Sequence, residues 1–330
     1  MSQSHLTIQE RENILKYLTL GKRIREIARL INKNPSVISR EIKRNSSKDG
    51  VYSAVGAQEA YEKRRLKCRK KRKLSNPKLK EKVRELFFEK SWSPEQISNR
   101  LKLEENEFSI SYSSIYRGIY SGEFDQFLSG DKKATRKLRH RGKTRKKAGS
   151  IETRGKIKVT HTIHERPKEA ESRNVMGHWE ADTVIGKKGS ATLLTMVDRA
   201  SRFLLAGKLE GNKSTLLKDK MIEVLQTVPK TKRKSITPDR GKEFSKHNEI
   251  TKELGGIKFY FADSHSPWQR GTNENTNGLI REYLPKGQDF ANLSDEEIDK
   301  IIDKINKRPR KCLGWKSPHE VFFKKVLHLT

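Results

Sequence analysis

Only two cysteines occur in 330 residues, Cys68 and Cys312, far apart and without a CxxC spacing. That excludes a disulfide scaffold and a cysteine-based zinc finger, and fits a reducing cytoplasm. Long apolar runs are missing too: none approaches the roughly 20 residues a membrane-spanning helix needs. The opening stretch MSQSHLTIQE lacks the apolar centre of a signal peptide, so a cytoplasmic protein with no membrane partner is expected. No GxxxxGK[ST] phosphate loop is present, and ATP use is not indicated. His, Cys and Ser residues form no convincing nucleophilic triad. Aromatic residues are 7% of the chain, and no stacked-aromatic platform of an RNA binder is visible. Acids are scarce against bases, 41 to 73, leaving a formal charge of +32. A charge this large repels itself unless a polyanion neutralises it, and nucleic acid phosphates bind basic surfaces without regard to sequence. At about 100–200 residues per domain the length implies two or three domains.

The charge is uneven. Residues 1–75 carry a net +13, residues 76–130 a net −1, residues 131–175 a net +11 and the remainder a net +9. Two runs hold no acid, KRRLKCRKKRK from Lys63 to Lys73 and KKATRKLRHRGKTRKK from Lys132 to Lys147. Blocks of like charge are usually disordered when free and often serve as interaction arms. Both are therefore expected to be linkers that also grip phosphate. They divide the chain into 1–62, linker 63–75, 76–130, linker 131–173 and 174–330.

The N-terminal third reads as a DNA-binding unit. Thr7 to Glu10 forms a capping box opening a helix with Ile14, Leu15 and Leu18 at helical spacing, and Gly21 stops it. A second helix runs from Ile24 to Ile31. The turn Asn32-Lys33-Asn34-Pro35 leads to a third, Ser36 to Arg44. Ala28 is small where two helices would cross, and Asn32 tolerates the left-handed conformation a tight turn needs. In a helix-turn-helix the second helix of the pair enters the major groove. Here that helix presents Ser36, Ser39, Arg40, Lys43 and Arg44, with Arg40 suited to guanine. Segment 76–130 repeats the theme with less charge: Leu79, Val83, Leu86 and Phe87 share a face, and Ser93-Pro94-Glu95-Gln96 starts a further helix. It is either a second helix-turn-helix or a structural bundle.

Past residue 174 the apolar period becomes that of strands. His178 to Ile185 alternates, and Thr192 to Val197, Phe203 to Leu209, Ser235 to Thr237 and Ile257 to Phe261 are short β-rich runs. Ser214 to Val228 has helical spacing. This order implies a mixed sheet with helices against it, whose sites gather at strand ends. Asp182 on the first strand, Asp239 just after a later one and Glu274 in an expected helix could cage a hard divalent cation. Among 41 acids spacing alone does not single these three out; local context does.

That context is the block SHSPWQRGTNENTNGLIREY from Ser264 to Tyr283, with GHWEAD from Gly177 to Asp182 and TPDRGKEF from Thr237 to Phe244. Together they resemble the insertion-sequence-30 family of bacterial transposases, part of the DDE transposase and retroviral integrase group. The stretch Leu6 to Asn45 is similar to that family's helix-turn-helix, and Asn306 to Pro318 to its C-terminal motif, so the resemblance spans nearly the whole chain. One departure is Ala181, where the family has glycine, a small change on a strand. The resemblance implies an RNase H-like, integrase-type α/β catalytic domain behind an α-helical helix-turn-helix region. It implies Asp182, Asp239 and Glu274 as catalytic, metal-binding acids for two Mg²⁺ ions, with Mn²⁺ the alternative. It also implies recognition of terminal inverted repeats, then DNA cleavage and strand transfer. Joining two element ends needs at least two end-binding units, so a homodimer or larger assembly on DNA is expected, in the bacterial cytoplasm with the nucleoid.

Other side chains near the acids are weighed individually. Arg281, two turns after Glu274 on the same face, is expected to hold a DNA phosphate. Glu180 shares a strand face with Asp182 and is either a substitute ligand or a partner to the ligands. Asp198 reads as a turn residue. The offset of Glu243 from Asp239 predicts nothing firm. Trp268 either stacks on an unpaired base or packs under the catalytic helix. Trp179 and Trp315 read as core or interface. His178, His265 and His319 lack zinc spacing and read as structural. Ile298, Ile301, Ile302 and Ile305 form a core stripe. Two other functions stay open: a helix-turn-helix regulator with an inactive catalytic domain, and a nuclease that cuts without joining.

Overall fold

The computed structural model describes residues 5–68, 72–105, 107–128, 130, 133–138, 159–187, 189–211, 213–264 and 266–329. Most of the second basic run and His265 lie outside the described residues. The chain divides into two units, Met1–Ser75 and Asn76–Thr330.

In the first unit α1 (Ile8–Thr19) opens on the Thr7 and Glu10 capping box. Then come α2 (Ile24–Leu30) and α3 (Pro35–Asn45). Asn32 takes φ 51° in the turn between them, and Asn34 caps α3 by accepting from the Ser36 amide, with Pro35 at the first position. Ile14, Ile27, Ala28 and Ile38 form the core with Leu6, Tyr52 and Ala57. Under α3 the Arg11 Nε donates to Glu41 Oε1 at 2.8 Å, and its Nη1 donates to the Leu6 carbonyl and to Gln58. Burial and the neighbouring Glu41 raise the Tyr52 phenol well above its ordinary pKa. The basic run expected as a linker from Lys63 is helical at its start: α4 (Ala54–Cys68) extends into it as far as Cys68. Lys and Arg are good helix formers, and Ala54 and Ala57 anchor the helix by burying its first turns.

The second unit begins with α5 (Pro77–Arg84), which widens into a π-turn at Glu85–Glu89, then α6 (Pro94–Leu103) and α7 (Tyr112–Tyr120). These helices pack on the C-terminal tail rather than standing apart. Arg100, 1% exposed, donates from Nη1 and Nη2 to the two Glu320 oxygens at 2.7 and 2.8 Å and from Nε to Glu104 at 2.6 Å. Gln96 Nε2 donates to the Pro309 carbonyl at 2.7 Å.

After the short α8 (Lys168–Ser172) come β1 (His178–Ile185), β2 (Thr192–Asp198), β3 (Leu204–Leu209), α9 (Ser214–Gln226), β4 (Ser235–Thr237), α10 (His247–Glu253) and β5 (Lys258–Phe259). The remaining helices are α11 (Gly271–Tyr283), α12 (Asp295–Asn306) and α13 (Pro318–Phe323). The sheet order is β3-β2-β1-β4-β5, antiparallel from β3 to β1 and parallel from β1 to β5. The expected run to Phe261 stops short as a strand, and Phe261 bridges to Thr162 instead. Every residue of β2 is buried, as befits a central strand covered on both faces. One face packs Trp179, Ala181, Leu194 and Met196 against α9 and α10. The other packs Val184, Leu193 and Val197 against α11 and α12, with Ile298 and Ile305 fully within that core and Ile301 and Ile302 at its margin.

Candidate active site

Alternation along β1 sends Trp179 and Ala181 to the α9 face and Glu180, Asp182 and Val184 to the α11 face. The parallel register sets Glu180 opposite Thr237. Two residues further along each chain stand Asp182 and Asp239, side by side at the carboxyl end of β4. Both reach one guanidinium: Arg270 Nη1 lies 3.5 Å from Asp182 Oδ1, and Nη2 lies 3.5 Å from Asp239 Oδ2. The remaining contacts set their orientation. Asp182 Oδ1 accepts from the Thr183 amide at 2.9 Å and Oδ2 from Asn277 Nδ2 at 3.0 Å. Asp239 Oδ1 accepts from the Gly241 amide at 2.8 Å. Burial raises the pKa of Asp182, with Asp239 adding to the rise and Arg270 opposing it.

Glu274 is exposed in the first turn of α11, one turn before Asn277. Among the described residues no three His, Cys, Asp or Glu side chains form a ready-made metal cage. The donor set is nonetheless all carboxylate, and two of its members already converge on one cation, which suits a hard divalent ion.

Glu180 is fully buried and both its oxygens are occupied. Oε1 accepts from Arg199 Nη1 at 2.5 Å and Oε2 from the Asn273 backbone amide at 2.8 Å. Helix α11 has no side-chain cap of its own, its N-cap being Arg270. Glu180 therefore satisfies an orphan amide of that helix from the strand that carries Asp182. Thr195 Oγ1 of β2 adds a bond to Asn277 Oδ1 at 3.1 Å. The strand face and the helix bearing Glu274 are pinned at two successive turns.

Glu243, for which the sequence predicted no role, joins the group: its Oε1 accepts from Thr183 Oγ1 at 3.4 Å. Burial raises its pKa, and Asp239 and Asp182 add repulsion. Arg270 and Asn277 were also overlooked: Asn277 follows Glu274 by three residues along α11, and Arg270 stands at the N-cap of that helix. Arg281 Nη2 donates to the Ile185 carbonyl at 2.7 Å and Nη1 to that of Leu284 at 3.4 Å, and burial lowers its pKa. Asp198 closes the β2–β3 turn, accepting from the Ser201 and Gly177 amides, each at 2.7 Å. His178 lies between Ser235 Oγ and Glu169. Trp179 is core, donating to the Lys232 carbonyl, whereas Trp268 is 72% exposed and not packed under α11. In the first unit Ser36, Ser39, Arg40, Lys43 and Arg44 are all exposed on α3, with Arg40 folded back on Ser36.

A helix-turn-helix followed by an integrase-type mixed sheet with paired acids at its strand ends defines a DDE-type transposase, a polynucleotidyl transferase. Residues 2–45 match the family model described as a helix-turn-helix domain and residues 172–267 the integrase core domain. Over 329 residues the chain is 40% identical to the transposase InsI of insertion sequence element IS30A from Escherichia coli (strain K12), covering 96% of this chain and 83% of the relative. It is 38% identical over 320 residues to the transposase of insertion sequence element IS4351 from Bacteroides fragilis, covering 96% and 95%. The chain belongs to the IS30 family of transposases. Among solved structures, the catalytic core domain of BIV integrase aligns with 45% of this chain and 94% of its own, at 16% identity and TM-score 0.35. No helix among the described residues is long and apolar enough to cross a membrane.

Proposed function

We propose that this transposase binds the terminal inverted repeats of an insertion sequence through α3 and moves the element by metal-dependent cleavage and strand transfer at Asp182, Asp239 and Glu274. The observation that carries this reading is the convergence of Asp182 and Asp239 on one cation, beside the helix that bears Glu274. The three acids would hold two Mg²⁺ ions, which when bound activate the attacking oxygen and stabilise the leaving oxygen of an in-line displacement. Asn277 and the Thr183 amide orient Asp182, and the Gly241 amide orients Asp239. Glu180 fixes the height of α11 against β1, and hence that of Glu274.

Water opens a phosphodiester at the element end and frees a 3′-hydroxyl. That hydroxyl attacks a second phosphodiester, forming one P–O bond as another breaks, so neither ATP nor a covalent protein–DNA link is required. Ser36, Ser39, Arg40, Lys43 and Arg44 supply base and phosphate contacts. Arg281 has five N–H donors and uses two on carbonyls, leaving others for a phosphate of the bound end. At least two copies, one per element end, make the working assembly, a homodimer or larger on DNA, in the nucleoid of a bacterial cell.

The test separates binding from chemistry. Asp182→Asn, Asp239→Asn and Glu274→Gln should each abolish cutting and joining while end binding stays largely intact. A variant that keeps near wild-type strand transfer removes its residue from the metal set. Cutting without joining by the wild type would instead make the protein a nuclease, and binding without either a regulator.

A further inference from the structure

Arg270 bridges the two carboxylates that are proposed to hold metal. Its contacts to Asp182 and Asp239, both 3.5 Å, are long; charge-assisted N–H···O⁻ bonds close to about 2.7–2.9 Å. Its third contact, from Nη1 to the Ala181 carbonyl, is 3.3 Å. Its Nε is buried and finds no partner among the described residues. An unpaired buried donor is costly, so this guanidinium balances charge here without being well satisfied. Asp182 and Asp239, by contrast, are held by shorter bonds to Asn277 and to the Thr183 and Gly241 amides, none of which involves Arg270.

Arg270 is the N-cap of α11 rather than part of its hydrogen-bonded ladder, so the helix does not depend on where its side chain lies. A guanidinium carries one positive charge; a divalent ion brings two to the same carboxylates. What the guanidinium offers better than any ion is a planar fork matched to phosphate.

We propose that Arg270 is a place-holding cation that keeps Asp182 and Asp239 together before metal arrives, is displaced by the metal, and then grips a phosphate of the bound DNA end. This rests on the metal-dependent reading above. Loading of metal and seating of DNA would thus be coupled through one side chain.

The test uses full-length protein without DNA, titrated calorimetrically with Mn²⁺. Arg270→Gln should tighten Mn²⁺ binding by on the order of tenfold, the size of effect expected from removing a unit charge close to the ion. Arg270→Lys, which keeps the charge but not the fork, should fall between. Asp239→Asn should lose the site. Unchanged or weaker Mn²⁺ binding by Arg270→Gln, with Asp239→Asn still losing it, overturns the place-holder while sparing the metal assignment. Unchanged binding by Asp239→Asn overturns both. With Ca²⁺ as a non-catalytic ion, the dependence of end binding on log salt should also flatten by about one in Arg270→Gln. An unchanged slope overturns the phosphate grip.

Discussion

Glu180→Ala is the substitution whose cost the structure sets most clearly. It removes a fully buried carboxylate and leaves Arg199, 3% exposed, without its short partner. Breaking a buried ion pair by deleting one member costs about 3–5 kcal/mol. The Arg199 guanidinium also donates from Nη2 to Glu171 at 3.3 Å and from Nε to the Ala170 carbonyl at 2.8 Å, which favours the lower end, about 3 kcal/mol. Loss of the bond to the Asn273 amide adds roughly 1 kcal/mol, as for other helix caps. The sum, about 4 kcal/mol, should lower the melting temperature of the second unit by roughly 10 °C at its size. Glu180→Gln retains an oxygen for the Asn273 amide but not the charge, so it should recover about the 1 kcal/mol of the cap and no more. Urea unfolding gives the first quantity. Hydrogen exchange across residues 271–277 gives the second, and should quicken at the start of α11 in the alanine variant only. A loss below about 1 kcal/mol, or unchanged exchange there, would refute the assignment of Glu180 as the anchor of that helix.

Two further outcomes follow from other parts of the molecule. Arg40→Ala should weaken binding to the element's own ends by about 1–3 kcal/mol and relax the preference for one base pair, measured by gel shift against cognate and scrambled ends. Equal loss on both would make Arg40 a phosphate contact. The Arg100, Ser317 and Leu327 donors together outweigh burial and hold the Glu320 carboxyl at about 2, below its ordinary 4.5. A depressed acid stabilises the fold above its unfolded pKa and loses that contribution as pH falls towards the folded value. The second unit should therefore weaken between about pH 4.5 and 2, and Glu320→Gln should flatten that dependence in acid titrations followed by circular dichroism.

The two halves of the fold differ in how much of them a reader of the sequence could foresee. The helix-turn-helix was legible because each boundary is local chemistry: Thr7 with Glu10, Asn32 in the left-handed turn, Asn34 before Pro35. The sheet was legible as strands because alternation and apolar runs are local too, although β5 ends sooner than its composition suggests. The helix that enters the first basic run was hidden because charge density says nothing of an alanine anchor further back. The bond of Arg100 to Glu320 was hidden for another reason: the partners lie 220 residues apart. At the site, the strand period put Glu180 and Asp182 on one face, yet only the packed structure decides that Glu180 is spent on Arg199 and Asn273. Asn277 was within reach of helical spacing from Glu274 and Arg270 of the helix start, but nothing in the spacing says which neighbours of an acid will turn toward its partners.

The most direct test of DNA joining by this chain pairs the purified protein with DNA carrying the gene's own flanking ends, with and without Mg²⁺. Wild type and Asp239→Asn would be run together and the strands resolved. Joined products that need Mg²⁺ and vanish in Asp239→Asn are the expected result. Joined products that form equally without added metal, or persist in Asp239→Asn, would contradict the carboxylate mechanism outright.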